Sequence, residues 1–405
     1  MSAADPQPIV TFPEALSTRE GWLEPFPWYD RMRRESPVRY DDDREVWDVF
    51  SYDGVKSVLS DDDAFSVDPM NLPEERTTEM EESPMTETML FTDPPDHRRL
   101  RAVAESEFRP NAVADLEPAI RRITQERVEE AVSEGEFDFV ADLAYPVPVI
   151  VIAELLGVPP EDRDRFKSWS DTLVARPDEE TREAFRRLQR EQEQALEELQ
   201  EYFVEMIERR RTDPRDDLIT TVVHDEGAAL TERELLGFCM LLLVAGNITT
   251  TNLLSNAMRC LEGRPEPIGR IAEDGTARSR TIEEVLRYRS PVQAFFRVAK
   301  AEADLGGQTV TPGEGIVAWI GSANRDPATF DEPEEFDPTR SPNQHVAFGH
   351  GTHYCLGAPL ARLEASVVLS ELFDRIDGFE IVDEELQPVR SSFIYGVESL
   401  PIAVE

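Results

Sequence analysis

Apolar residues recur at helical spacing through most of the chain. A helical texture begins with PWYDRMRRE at Pro27. Leu116 to Val132 and Phe185 to Arg211 set apolar residues three and four apart beneath charged outer faces, which predicts amphipathic helices. Thr231-Glu232-Arg233-Glu234 has the form of a capping box, and LLGFCMLLLVAGNITTTNLLSNAMRCL after it is apolar nearly all round. A helix of that kind belongs in the middle of a fold. Thr92-Asp93-Pro94-Pro95 predicts a further helix start, with Asp93 as N-cap and prolines in the first turn. Past Arg297 the period shortens to strand and turn, with Gly306-Gly307 and Pro312-Gly313 as turns. The pattern predicts a mainly α fold with a small β region. No Gly/Ser-rich linker or internal repeat divides it, so residues 1–405 are expected to form one domain.

Charge narrows the partners. The 405 residues carry 83 acids against 42 bases, a formal net charge of -41. Lys56, Lys167 and Lys300 are the only lysines. Such a surface disfavours nucleic acid, whose binding rests on basic neutralisation of phosphates, and it is repelled by anionic membranes. The acids are spread along the chain, as in proteins of salt-accumulating microbes, where a Debye length of about 3 Å at 1 M salt screens self-repulsion. A halophilic, haloarchaeal origin is therefore expected. MSAADPQPIVTFPEA has neither the basic start nor the apolar run of a signal peptide, and Leu235 to Ala245 is too short an apolar run to span a bilayer. The expectation is a cytoplasmic protein without a membrane anchor. Cys239, Cys260 and Cys355 suggest no disulfide framework.

Chemistry concentrates in FGHGTHYCLG, Phe348 to Gly357, which runs into the helix-like APLARLEASVVLSELF. Three uses of it compete. His345, His350, His353 and Cys355 could ligate zinc, although structural zinc sites draw ligand pairs from two segments and no CxxC partner occurs. Cys355 could be a nucleophile, which needs a base and an oxyanion hole. Cys355 could also be a thiolate ligand to haem iron. The third explains the spacing best. Glycines at 349, 351 and 357 let backbone approach a flat macrocycle, and the helix that follows directs free N–H groups and its positive end at the sulfur, favouring thiolate.

FGxGxHxC followed by LGAPLARLE resembles the haem-binding loop of the cytochrome P450 family, and the likeness runs from about Trp28 to near the C-terminus. It implies the P450 fold, a helical body with a central distal helix and a β-rich side. It implies haem b (iron protoporphyrin IX) ligated by Cys355, with Phe348, Gly349 and Gly357 against the ring. DPPDHRRLR resembles the family's DPPxHxxLR, which assigns His97 and Arg101 to the haem propionates, joined by Arg297 and His353. Glu284-Val285-Leu286-Arg287 resembles the family's ExxR core pair. Glu183–Arg186 and Glu208–Arg211 match the same spacing and read as solvated pairs, and Thr281 to Glu284 could instead be a capping box. Asn324-Arg325-Asp326-Pro327, Phe336-Asp337-Pro338 and Arg340 resemble the meander that precedes the cysteine loop.

Ala245-Gly246-Asn247-Ile248-Thr249-Thr250 falls inside the apolar central helix, where Gly costs about 1 kcal/mol relative to Ala. Thr249 can bond back to the carbonyl of Ala245 and open a groove. By resemblance Thr249, Gly246 and Ala245 are the catalytic residues at the dioxygen site. Family members commonly carry Asp or Glu immediately before this threonine, and here that position is Ile248, which cannot carry a proton. Asn247 projects about 100° away. The implied activity is that of a haem-thiolate monooxygenase inserting one oxygen atom of O2 into an apolar organic substrate, with electrons from a ferredoxin-type donor and its reductase. Ile248 keeps a peroxygenase, isomerase or dehydratase in view, and a non-catalytic haem sensor is the alternative outside enzymology. Substrate contacts are expected from Met89, Leu90, Phe91, Val244, Ile248, Val292, Phe295, Phe296, Phe393 and Ile394.

Overall fold

The computed structural model describes residues 13–73, 84–174, 182–224, 230–383, 385–389, 391 and 393–404. A helix from Glu232 to Leu261 occupies the middle. Its start is the capping box read in the sequence. The Thr231 hydroxyl accepts from the Glu234 N–H at 3.1 Å, and the Glu234 carboxylate accepts from the Thr231 N–H at 2.8 Å. This helix is long and apolar enough to cross a membrane, yet 61% of its most apolar window is buried inside the fold, as befits a core helix. Against it pack Pro146–Leu155, Gly275–Tyr288 and Ala358–Phe373. Glu117–Ser133 and the long Arg182–Thr212 complete the helical body, close to the spans their apolar spacing predicts.

One expected cap, and one weighed as an alternative, do not form. The helix expected from Asp93 begins at Asp96, and Pro95 occupies its N-cap. The Asp93 carboxylate turns away to accept from the Ser66 hydroxyl at 2.6 Å and the Val67 N–H at 3.0 Å. A tertiary contact has overridden the local one. Thr281 lies within Gly275–Tyr288, which Asp274 caps, and its hydroxyl donates to the Ala277 carbonyl at 2.9 Å.

The β region is a five-stranded sheet in the order Val38–Asp41, Val46–Val49, Gly315–Trp319, Ala294–Ala299, Phe65–Ser66. Val46–Val49 pairs with Gly315–Trp319 in parallel, and the other pairs are antiparallel. The first two strands are too short and too acidic at their turn for the periodicity to announce them. Ala303–Leu305 and Gln308–Val310 form the hairpin expected at Gly306-Gly307, whose φ values of 60° and 84° suit glycine. Glu136–Asp138, Pro401–Val404 and Phe379–Ile381 make a third sheet. Apolar side chains cover both faces of the five-stranded sheet. Val55, Leu59, Ile316 and Ala318 lie in one layer, and Trp28, Tyr29, Val317 and Trp319 lie in the other.

Candidate haem-thiolate site

Cys355 sits between two helical pieces, Gly351–His353 and Ala358–Phe373. Its N–H donates to the Phe348 carbonyl at 2.9 Å, which closes the loop back on itself. Gly349 and Gly351 adopt φ of 77° and 73°, where other residues are strained. Gly351 has a further reason to be glycine, because a Cβ there would lie 2.7 Å from the Leu59 carbonyl. Gly357 has no such constraint. Its φ is -78°, and a Cβ there would meet no protein atom within 4 Å. The cradle at Gly357 is thus open on the side toward which a side chain would project.

Cys355 counts as exposed, yet burial pushes its thiol above the usual value, so its free surface faces a recess walled by protein. The N–H groups of Gly357 and Ala358 pull the other way, as the helix start predicts, and so do Arg101 and Arg362. Burial wins. The helix start favours thiolate, as the sequence expects, and a bound metal cation would favour it further against burial.

The residues assigned to propionates converge. The His97 and His353 rings stand 4.2 Å apart. Arg101 donates to the Tyr354 carbonyl at 2.8 Å, and Arg297, only 7% exposed, donates to the carbonyl of its neighbour Phe296 at 2.8 Å. Two ring nitrogens in this cluster, His97 Nδ1 and His353 Nε2, are buried without a partner. Burial, then the neighbouring His97 and Arg297, carries His353 down to about 3. Burial lowers Arg297 to about 10 despite the attraction of Asp62 and Asp93. Buried polar groups left unpaired are costly, and a ligand bearing carboxylates would satisfy them where the nitrogen carries a proton. The donor set, the cysteine and the open cradle fit haem.

Phe348 lies under the guanidinium of Arg362, whose centre is 4.4 Å from the ring centroid. That arginine is fixed by Glu283 at 2.6 and 2.9 Å. Burial raises the Glu283 carboxyl, but bonds from Arg362 and His345 overcome this and bring it down to about 2. His345 Nε2 is therefore committed to Glu283 at 2.9 Å. Among the described residues no group of three His, Cys, Asp or Glu could hold a metal ion, so the zinc reading fails.

Glu284 and Arg287 form the expected core pair, both fully buried, with bonds of 2.9 and 2.7 Å. Arg287 also donates to the carbonyls of Asn324, Pro333 and Glu335, while Glu284 accepts from the Asp337 N–H, Asn343 and Arg340. The pair thereby pins the meander that leads to the cysteine loop. Glu208–Arg211, at the same spacing, is a solvated pair at 3.5 Å.

On the central helix the Thr249 hydroxyl donates to the Ala245 carbonyl at 2.7 Å. Val244 and Ala245 are exposed midway along a largely buried helix, which leaves a window in its cover. Gly246 lies beside this bond, and a Cβ there would come within 2.9 Å of Ile152 Cδ1, the far end of a side chain. Among the expected substrate contacts, Leu90 and Val244 show open apolar surface, and Val292 meets Ile394 in a β-bridge. Phe91 and Ile248 are partly buried, and Phe295 lies beside Gly349. Met89 is committed to the main core, and Phe296 and Phe393 pack on the layer of Trp319. Sequence reading missed Glu364, which follows the cysteine loop on its helix and is 2% exposed. Its place at the end of LGAPLARLE was the signal that could have found it.

Comparison with known proteins agrees with this geometry. A family model described as Cytochrome P450 matches residues 39–276 and 278–392. Cytochrome P450 109 of Bacillus spizizenii is 42% identical over 96% of this chain and 94% of its own. Erythromycin C-12 hydroxylase of Saccharopolyspora erythraea is 39% identical over 93% of each chain. Substrate-free CYP109E1 of Bacillus megaterium is 44% identical, with a TM-score of 0.89 over 94% of this chain and 98% of its own. The same enzyme is known in complex with testosterone, at 44% identity and a TM-score of 0.85 over 96% of this chain and 99% of its own. With the cysteine loop, the buried ExxR pair and the propionate cluster all in place, this chain belongs to the cytochrome P450 family.

Proposed function

We propose that the chain is a soluble cytoplasmic monooxygenase that binds haem b and hydroxylates an apolar organic molecule, receiving electrons from a ferredoxin-type donor. The observation that carries this reading is the union of Cys355, at a helix start, with buried unpaired ring nitrogens on His97 and His353. Bound haem supplies dioxygen activation and the transfer of one oxygen atom to substrate. The chain's own residues do the rest. Cys355 would ligate the iron, and His97, Arg101, Arg297 and His353 would balance the propionates. Thr249 keeps a hydroxyl proton at the window in the central helix, and its partner there is a backbone carbonyl. Leu90 and Val244 offer apolar surface that excludes water and receives hydrocarbon.

The acidic surface supports a second part of the proposal, that the protein works at high salt. The named relatives come from Bacillus and an actinomycete and do not support the haloarchaeal origin that the sequence suggested. Ile248 favours a peroxygenase as the competing activity, since peroxide brings its own protons. Screening apolar compounds, steroids included, for the ferric low-to-high-spin shift tests the substrate class. A set of ligands that shift the spin state and are then hydroxylated with O2 and reductant is expected. Turnover with peroxide alone would favour the peroxygenase.

A further inference from the structure

One flank of the central helix carries polar side chains in an otherwise apolar contact. Asn247 and Thr251 stand one turn apart on Glu232–Leu261 and are 1% and 6% exposed. The Asn247 amide donates to the Ser170 hydroxyl oxygen at 3.1 Å, and the Tyr145 hydroxyl donates to the same oxygen at 3.0 Å. The Thr251 hydroxyl lies 3.2 Å from both Asn247 Oδ1 and the Ala144 carbonyl. Ser170 is 3% exposed and sits on Arg163–Val174, a helix that packs on Pro146–Leu155 and Arg182–Thr212. These elements otherwise contribute apolar side chains to one core cluster, Leu143, Val147, Ile152, Phe166 and Leu243 among them. None of the four polar side chains belongs to the haem site.

We propose that Asn247 is a positioning residue: bonded to Ser170, it locks Arg163–Val174 to the flank of the central helix and fixes the rotation at which Thr249 faces the site. The proposal rests on the monooxygenase reading. Two steps along a helix turn the side-chain direction by about 200°, so Asn247 and Thr249 occupy nearly opposite faces. What anchors the first therefore orients the second. An anchor is needed here because side chains loosen the helix on its other face. The Thr249 hydroxyl bonds the Ala245 carbonyl and the Asn252 amide bonds the Ile248 carbonyl, at 2.7 Å each. Apolar packing is non-directional, whereas a satisfied set of buried hydrogen bonds selects one arrangement. Stability does not explain the set, since replacing both partners of a buried bond by apolar groups of similar shape is nearly neutral. The lock also joins two helices, so a shift of Arg163–Val174 is felt at Thr249. Asn247 touches no reacting atom; it acts through the helix that bears it.

The test uses the haem-loaded protein, reduced under carbon monoxide, and reads the infrared stretch of the bound carbon monoxide. That band responds to the polarity of the groups above the iron. Wild type should give one narrow band, displaced in Thr249→Ala. Asn247→Leu and Ser170→Ala should each split or broaden it, although Ser170 lies on a different helix. The double variant Asn247→Leu/Ser170→Ala should do the same, while its urea midpoint stays close to that of the wild type. Should Asn247→Leu fail to fold, Ser170→Ala still decides. A band that Thr249→Ala displaces and Ser170→Ala leaves unchanged overturns the proposal. So does a double variant whose urea midpoint falls while the band is kept, since the bonds are then scaffold alone. A band unmoved in Thr249→Ala overturns it as well, because Thr249 then does not face the site. Wild type with no red-shifted Soret band under carbon monoxide overturns the monooxygenase reading, and the positioning role with it.

Discussion

At the scale of single residues, the protein separates holding from reacting. In the proposed reading Cys355, His97, His353 and Arg297 hold the haem, and the unpaired His97 Nδ1 and His353 Nε2 support an anionic partner there. In the same reading Thr249 and Ile248 face the reaction, and Ile248 departs from the usual acid–alcohol pair. Ile248→Glu places a carboxylate next to Thr249 on the same helix. Product per electron consumed should therefore rise in that variant, measured against reductant oxidised at fixed substrate. No gain would show that proton supply at this position does not limit the wild type. The cysteine loop was legible in sequence because its parts are contiguous: a positive-φ glycine, a ligand and a helix start follow one another within a few residues. The burial of Glu364 was not, because an acid on a helix reads as solvated until the opposing helix is known.

At the scale of elements, caps and ion pairs divide by burial. The Thr231–Glu234 box was readable because both partners are local. Asp93 misled because Ser66 and Val67, distant in sequence, claim its carboxylate. Glu284–Arg287 and Glu208–Arg211 share a spacing, and only packing separates a buried pair with six further partners from a solvated one. Removing one member of a buried pair leaves an uncompensated charge worth roughly 3–5 kcal/mol, against at most about 1 kcal/mol for an exposed pair. Arg287→Ala should accordingly lower the urea midpoint steeply and abolish haem retention, while Arg211→Ala leaves both nearly unchanged. Equal effects of the two would contradict the assignment of Arg287 as the clamp on the meander. Gly246→Ala should change stability little: about 1 kcal/mol of helix propensity offsets the contact with the flexible tip of Ile152.

At the scale of the whole molecule, two properties coexist: a core built like that of ordinary relatives and a surface of net charge -41. Self-repulsion among those charges is screened within a Debye length that shrinks from about 10 Å at 0.1 M salt to about 3 Å at 1 M. The thermal midpoint should rise as KCl is raised across that range, and turnover with an acidic ferredoxin should rise at first. A midpoint that falls steadily from low salt would contradict a surface adapted to salt. Whatever the surface does, the interior argument comes down to one bond at Cys355. Haemin added to the purified protein, then reduced under carbon monoxide, should give a strongly red-shifted Soret band in the wild type and lose it in Cys355→Ser. A wild type without that band, or a serine variant that keeps it, would contradict the account.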